Sequence, residues 1–268
     1  MKKNAIKLLF LIVLTVATSL QLPAQKWLNK IVTSGEIRIG MSGNQPPFSM
    51  YDKNDNLMGY EVDLANLLAE EMGLKLILVP MPFAQLMPAL GEGRIDAIMS
   101  GMTITPKRNL KALFVGPYIV SGKSIITKSS TLAMVDDLED LNLPTTRLVA
   151  LQGSTSEELI RKFLPKATLV VTENYDLAVK MVLNNKADAM FGDYPVCVYT
   201  KLKYPLENLY VLDQPLTIEP IGMALPPDGY LLHNLVQNYI NSLMIFGLLD
   251  LLEAKWFDSG QWLDQVKN

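Results

Sequence analysis

The sequence predicts an α/β protein of two lobes, each a mainly parallel sheet flanked by helices, joined by a two-strand hinge. Three observations carry this. Beyond residue 25, short β-like runs alternate with helical stretches, the pattern of parallel strands covered by helices. The stretches ALGEGRIDAIMS (89–100) and MVLNNKADAMFG (181–192) match at an offset of 92, and at that offset Phe83 falls on Tyr175. The wiring is therefore written twice. Two runs without a helical period, 113–132 and 209–226, flank the second copy and read as extended connections between the lobes.

The elements follow in order. EIRIGM (36–41) is β-like and is followed by the Gly43–Pro47 loop. In YEVDLANLLAEEMG (60–73), Val62, Leu64, Leu67, Leu68 and Met72 have helical spacing, and Gly73 suits the position just past the helix end. KLILVP (75–80) is a strand. FAQLMPALGEG (83–93) is a short helix strained by Pro88, and IDAIMS (95–100) is a buried strand. The second copy reads RLVALQ (147–152), STSEELIRKFL (154–164), ATLVV (167–171), NYDLAVKMVLNN (174–185) and ADAMFG (187–192), again β-α-β-α-β. Residues 230–256 read as one long helix, with Trp256 and Trp262 near its end.

Composition narrows the function. Of 268 residues, 49% are hydrophobic and 19% charged, a globular balance that excludes disorder and collagen-like repeats. There is one histidine, His233, and one cysteine, Cys197. These two are too few for a structural zinc site, a disulfide framework or two-histidine catalysis. His233 lies in an apolar helical stretch and reads as a satisfied packing residue.

Residues 1–24 have the layout of a secretory signal: Lys2, Lys3 and Lys7, then an apolar run from Leu8 to Ala17, then small residues. The run is too short to span a bilayer. Cleavage after Ser19 or Ala24 fits, and no cysteine follows to anchor a lipoprotein. Loss of three lysines leaves 21 basic against 27 acidic residues, a formal charge of −6. That balance lacks the basic footprint of a nucleic-acid binder. The expected organisation is a signal over 1–24, lobe one over 25–120 and 222–268, and lobe two over 121–221.

Three places set polar groups at the ends of strands, where open α/β sheets bind ligands. In SGMTITPKR, Ser100 and Gly101 end a buried strand, Thr103 offers a hydroxyl, and Arg108 offers a planar fork for a carboxylate. The plainer reading is a solvated arginine in a polar turn. In QGSTSE, Ser154 and Glu157 have capping-box spacing, and the helix start beside Thr155 is a place for an anion or simply a cap. In DAMFGDYP, Asp193 either receives a cation or caps the helix that follows. Taken together, an arginine from one lobe and a helix start and an aspartate from the other would grip a small zwitterion such as an α-amino acid.

These residues resemble the extracytoplasmic solute-binding proteins, family 3, that serve ABC importers of amino acids. The resemblance rests on RIG (38–40), PPFS (46–49), GYEVDL (59–64), IDAIMSGMTITPKR (95–108), GPY (116–118), LQGST (151–155) and ADAMFGD (187–193), in family order over nearly the whole chain. It implies the type II periplasmic-binding-protein fold and an exported, monomeric, non-enzymatic binder without cofactor or metal. The implied partners are an amino-acid-like ligand and a membrane permease. Position by position, it places the carboxylate-binding arginine at Arg108, with Thr103, Gly101 and Ser100 beside it. The second-lobe donors fall at Ser154 and Thr155, the ammonium-binding aspartate at Asp193, and an aromatic wall at Phe83. Asp63 and Phe48 are read as structural. Where relatives often stack an aromatic on the ligand, this chain has Gln45; Ser42 and Leu151 stand at positions that carry charge in others. The side-chain subsite therefore shows no charge of its own, unless Glu219 faces it. The alternatives are a dehydratase on the same fold acting on prephenate-like or arogenate-like acids, and a freestanding periplasmic sensor.

Overall fold

The computed structural model describes residues 26–135 and 137–267. The expected export signal lies outside the described residues.

In chain order the first part comprises α1 (Lys26–Ser34), β1 (Glu36–Met41), β2 (Met50–Tyr51), β3 (Leu57–Met58), α2 (Tyr60–Glu71), β4 (Lys75–Pro80), α3 (Phe83–Gly91), β5 (Ala97–Ile98), α4 (Pro106–Asn109) and β6 (Leu113–Ser121). The second part comprises β7 (Lys123–Thr127), β8 (Arg147–Leu151), α5 (Thr155–Phe163), β9 (Thr168–Thr172), α6 (Tyr175–Leu183), β10 (Ala189–Asp193), α7 (Tyr194–Lys203) and β11 (Tyr210–Val211). The chain then returns through β12 (Glu219–Leu225) to α8 (Tyr230–Ile245) and α9 (Leu248–Glu253).

Two five-stranded sheets result, ordered β4-β1-β5-β12-β6 and β11-β7-β10-β8-β9. β1 lies parallel between β4 and β5, and β8 lies parallel between β9 and β10. Each parallel trio is extended by antiparallel strands from the crossovers: β12 beside β5 and β6, β7 beside β10 and β11. The antiparallel members come from the two helix-free runs. The chain leaves the first sheet at Gly122 and returns over residues 212–218; Glu219 opposite Ser121 and Pro220 opposite Val120 lay the two crossings side by side.

The repeat has a structural meaning. Asp96 takes the backbone N–H of Arg38 at 3.0 Å and its guanidinium at 2.9 and 2.7 Å. Asp188 treats Arg147 the same way, at 2.7, 3.2 and 2.7 Å. In each lobe, the aspartate just before the third strand clamps an arginine on the central strand.

Local chemistry sets the helix ends. Ser154 Oγ accepts the N–H of Glu157 at the start of α5, and Asn174 Oδ1 accepts that of Leu177 at the start of α6. Gly73 closes α2 as expected, with Leu74 N–H donating to Ala69 O. One long C-terminal helix is not formed. Gly247 adopts φ +71, a left-handed conformation glycine enters at low cost, and the axis turns by 79° between α8 and the segment that begins with α9.

The core lies on the sheet faces. Phe48, Ile37, Ile39, Tyr60, Leu64 and Leu68 are fully enclosed in the first lobe, confirming Phe48 as structural. Asp63 takes the indole N–H of Trp256 at 2.7 Å and the Lys255 ammonium at 2.6 Å, so it tethers the C-terminal segment. His233 Nε2 lies 3.0 Å from Phe114 O and is satisfied there.

Candidate ligand-binding cleft

The lobes meet along the ends of the parallel strands. Asn44 Oδ1 accepts the backbone N–H of Tyr175 at 2.7 Å, Gln45 Nε2 donates to Asp193 at 2.8 Å, and Lys107 pairs with Glu158 at 2.6 Å. These contacts cross from one lobe to the other, so this is a closed form.

Arg108 is placed by its own sequence. Thr105 caps α4 by accepting the Arg108 N–H at 3.2 Å, and Pro106 at the first helical position has the backbone angle the turn needs. The guanidinium then donates to Thr103 O at 2.9 Å and, across the cleft, to Gly153 O at 3.1 Å. It lies 5.6 Å over the Phe83 ring. Every one of these partners is uncharged, and among the described residues Arg108 makes no ion pair. Burial pulls its pKa down, while Glu158, Glu219 and Asp193 push the other way. A cation held by neutral groups in a closed cleft is a place for an anion.

Asp193 is arranged in the opposite manner. It stands at the start of α7 but does not cap it. Its side chain is 2% exposed and faces Lys123, whose Nζ is 2.5 Å from Oδ1. The other oxygen accepts from Gln45 and, at 2.9 Å, from the Tyr175 hydroxyl. Burial beside this carboxylate raises the Tyr175 pKa well above its ordinary value, so the phenol stays a donor.

The second-lobe hydroxyls are also engaged. Ser154 donates to Leu151 O at 2.6 Å, and Thr155 donates to Glu219 at 3.1 Å while lying 3.5 Å from the Thr103 hydroxyl. What α5 offers an anion is its first amide N–H groups, which have no partners within the helix. Glu219 is buried and also accepts from Thr217 at 3.2 Å, with Lys123 at 3.9 Å. Glu219, the acid left open by the sequence, is thus engaged beside Lys123 and Thr155.

Ser100 and Gly101 support the loop. Ser100 Oγ accepts the N–H of Ser42 at 2.9 Å and lies 3.5 Å from Gln45 Oε1. A β-carbon on Gly101 would lie 2.1 Å from Gln45 Nε2, so only glycine lets Gln45 reach Asp193. Gly101 N–H is held at 2.7 Å by Glu61, an enclosed carboxyl that also takes the Tyr118 hydroxyl at 2.5 Å. Burial drives the Glu61 pKa up to about 7 against these two hydrogen bonds.

Ser42 and Leu151 meet in one cavity of about 430 Å³, lined also by Asn44, Tyr51, Pro80 and the carboxylates Glu173 and Asp176, so the expectation of a side-chain subsite without charge is corrected. Sequence reasoning passed over Lys123, Tyr175 and Glu61 as cleft residues. Tyr175 carried one signal, its match to Phe83 in the repeat: each opens its helix, and each faces a charged group of the cleft.

Comparison with known proteins agrees with this architecture. The sequence profile of the bacterial extracellular solute-binding proteins, family 3, matches residues 37–259. The chain is 32% identical over 191 residues to a cyclohexadienyl dehydratase of Pseudomonas aeruginosa, covering 71% of each chain. It is 27% identical over 225 residues to an ABC transporter arginine-binding protein of Escherichia coli, covering 83% of this chain and 90% of that one. Among solved structures, a putative ABC transporter binding component from Wolinella succinogenes, complexed with lysine, superposes with a TM-score of 0.81. It shares 36% identity over 86% of this chain and 99% of that one.

Proposed function

The chain belongs to the bacterial extracellular solute-binding proteins of family 3, and from that premise we propose that it is the periplasmic substrate-binding component of an ABC importer. It takes an amino acid or similar small carboxylate between closing lobes and presents the closed form, as a monomer, to a membrane permease. One observation carries the reading: Arg108 is held in the cleft by backbone carbonyls and a ring, with no carboxylate of the described residues upon it. Its partners come from both lobes, so a carboxylate bound there favours closure by contacts the open form lacks. The Ser42–Leu151 cavity, with Glu173 and Asp176 in its lining, suits a polar or cationic ligand side chain.

A thermal-shift screen of small carboxylates against the purified protein tests this. A ligand at 100 times its Kd stabilises the fold by roughly 2.7 kcal/mol. Arg108→Ala should abolish the shift while leaving the unliganded melting temperature close to that of the parent. A shift that survives the substitution places the site elsewhere.

The likeness to a cyclohexadienyl dehydratase gives a second reading, a lyase on the same fold. Such chemistry needs a general acid near the leaving group. Asp193 is committed to Lys123, and Glu61 lies behind the Gly101 backbone. Both placements favour binding over catalysis. Product formation from prephenate or arogenate would overturn that preference.

A further inference from the structure

We infer that Lys123 occupies the cation place of the cleft, so that the preferred solute is a small carboxylate bearing a hydroxyl or oxo group, not an ammonium, on its α-carbon. This rests on the proposed role of Arg108 and narrows it.

The pair is built into the second lobe. Lys123 opens β7 and Asp193 closes β10, and the two stand directly opposite each other in the antiparallel ladder. Cross-strand neighbours of opposite charge meet without either chain having to move. The Lys123 backbone is pinned on both sides, its N–H to Thr217 Oγ1 at 3.0 Å and its carbonyl to Leu216 N–H at 2.7 Å. Tyr175, the next partner of Asp193, belongs to the same lobe. The carboxylate is therefore paired before the lobes close, and Gln45 adds a third donor on closure.

A ligand ammonium seeking Asp193 would meet an ammonium already seated there. Either two cations would share one carboxylate, or Lys123, 3% exposed, would have to leave it. Like charges packed together in a dry cleft repel strongly, and separating a buried pair strands a charge. Glu219, the acid beside Lys123, already accepts two threonine hydroxyls and lies 3.9 Å from the same ammonium. Arg108, by contrast, meets only neutral groups. The charge left for a ligand to meet is the Arg108 cation, which calls for an anion. An α-hydroxyl or α-oxo oxygen can accept a hydrogen bond from the Lys123 side of the cleft, where an ammonium cannot.

The experiment is calorimetric titration of the purified protein with matched sets sharing one side chain: leucine, 2-hydroxyisocaproate and 4-methyl-2-oxovalerate; alanine, lactate and pyruvate; phenylalanine, phenyllactate and phenylpyruvate. In the set whose side chain fits, the hydroxy or oxo acid should bind at least tenfold more tightly than the amino acid. In Lys123→Met the order should reverse, because Asp193 is then free for an ammonium. If the amino acid binds most tightly to the unmodified protein, in an Arg108-dependent manner, this inference is overturned and the proposed function stands. If binding ignores Arg108→Ala, the proposed function fails with it; if no member of any set binds, the inference is overturned and the wider screen of carboxylates decides the proposed function. Should Lys123→Met not fold, the ranking in the unmodified protein decides alone.

Discussion

Tyr199 of α7 stacks on Trp262 of the C-terminal segment, with ring centroids 5.6 Å apart and planes 23° from parallel. The contact joins the second lobe to the first outside the cleft. Trp262 is fixed in turn by its indole N–H on Trp256 O at 2.8 Å, and Trp256 by its indole on Asp63. The stack touches none of the residues assigned to the ligand. A contact between lobes bears on affinity to the extent that closure makes it.

Tyr199→Ala should therefore weaken binding without changing any cleft residue. An aromatic pair contributes about 0.5–1.5 kcal/mol beyond its buried area. For a stack made on closure, that becomes a roughly two- to tenfold rise in Kd. Titration with a ligand found in the screen measures it, and small-angle scattering of the unliganded variant should show a more expanded particle. An unchanged Kd would mean that the stack contributes equally in open and closed forms.

Glu61 predicts a pH dependence. Its folded pKa of about 7 stands above the ordinary 4.5, because the carboxyl is enclosed and one oxygen has no hydrogen-bond partner. The folded state then holds a proton that the unfolded chain releases near pH 4.5. Stability from this group is full below about 4.5, falls as the pH rises, and is lost above about 7. The span corresponds to roughly 3 kcal/mol at most. Glu61→Gln keeps an acceptor for Gly101 and Tyr118 and removes the titration. Urea midpoints between pH 4.5 and 8 should slope downward in the parent and run flatter in the variant, and parallel slopes would rule Glu61 out as the source.

Why Asp193 was legible in the sequence and Lys123 was not is a matter of range. Asp193 ends a β-like run and precedes a helix, a local pattern that marks it as a strand-end carboxylate. The same holds for Arg108, which follows a capping threonine and a proline. The two lobes were legible because the helix-turn-strand wording around Asp96 and Asp188 is local and occurs twice. Lys123 sits in SGKSIIT, where a lysine reads as a solvated residue of a β run. Its burial depends on β10 lying opposite, 70 residues onward, and nothing near Lys123 announces that register. Glu61 was hidden differently. Both it and Asp63 fall in the first turn of α2, where acids are favoured anyway, yet Asp63 faces the C-terminal segment and Glu61 the core. The break at Gly247 turns on a left-handed backbone conformation that a single glycine permits without announcing it.

The twin clamps of the repeat give a final prediction, since equal wiring does not imply equal worth. Asp96 is 2% exposed and its arginine 30%, whereas Asp188 is 30% exposed and Arg147 45%. Burial would raise the Asp96 pKa, but the hydrogen bonds and charge of Arg38, aided by Lys30, hold it below the usual carboxylate range. Asp188 is also held low, chiefly by its hydrogen bond to Arg147, but in contact with water. Removing the charge of a buried partner strands the other, at a cost of about 3–5 kcal/mol, while an exposed pair contributes about 0–1 kcal/mol. Arg38 is part-exposed, so Asp96→Asn should fall toward the lower end of that range and Asp188→Asn below about 1 kcal/mol. Both stabilisations are present above the unfolded carboxylate pKa and are lost as the pH falls through the lower folded values. The gap between the variants should therefore be wide at neutral pH and narrow in acid. Chemical denaturation of the two at pH 7 and pH 3 measures it, and negligible loss in both at pH 7 would show that the aspartates act through their backbone hydrogen bonds, which asparagine retains.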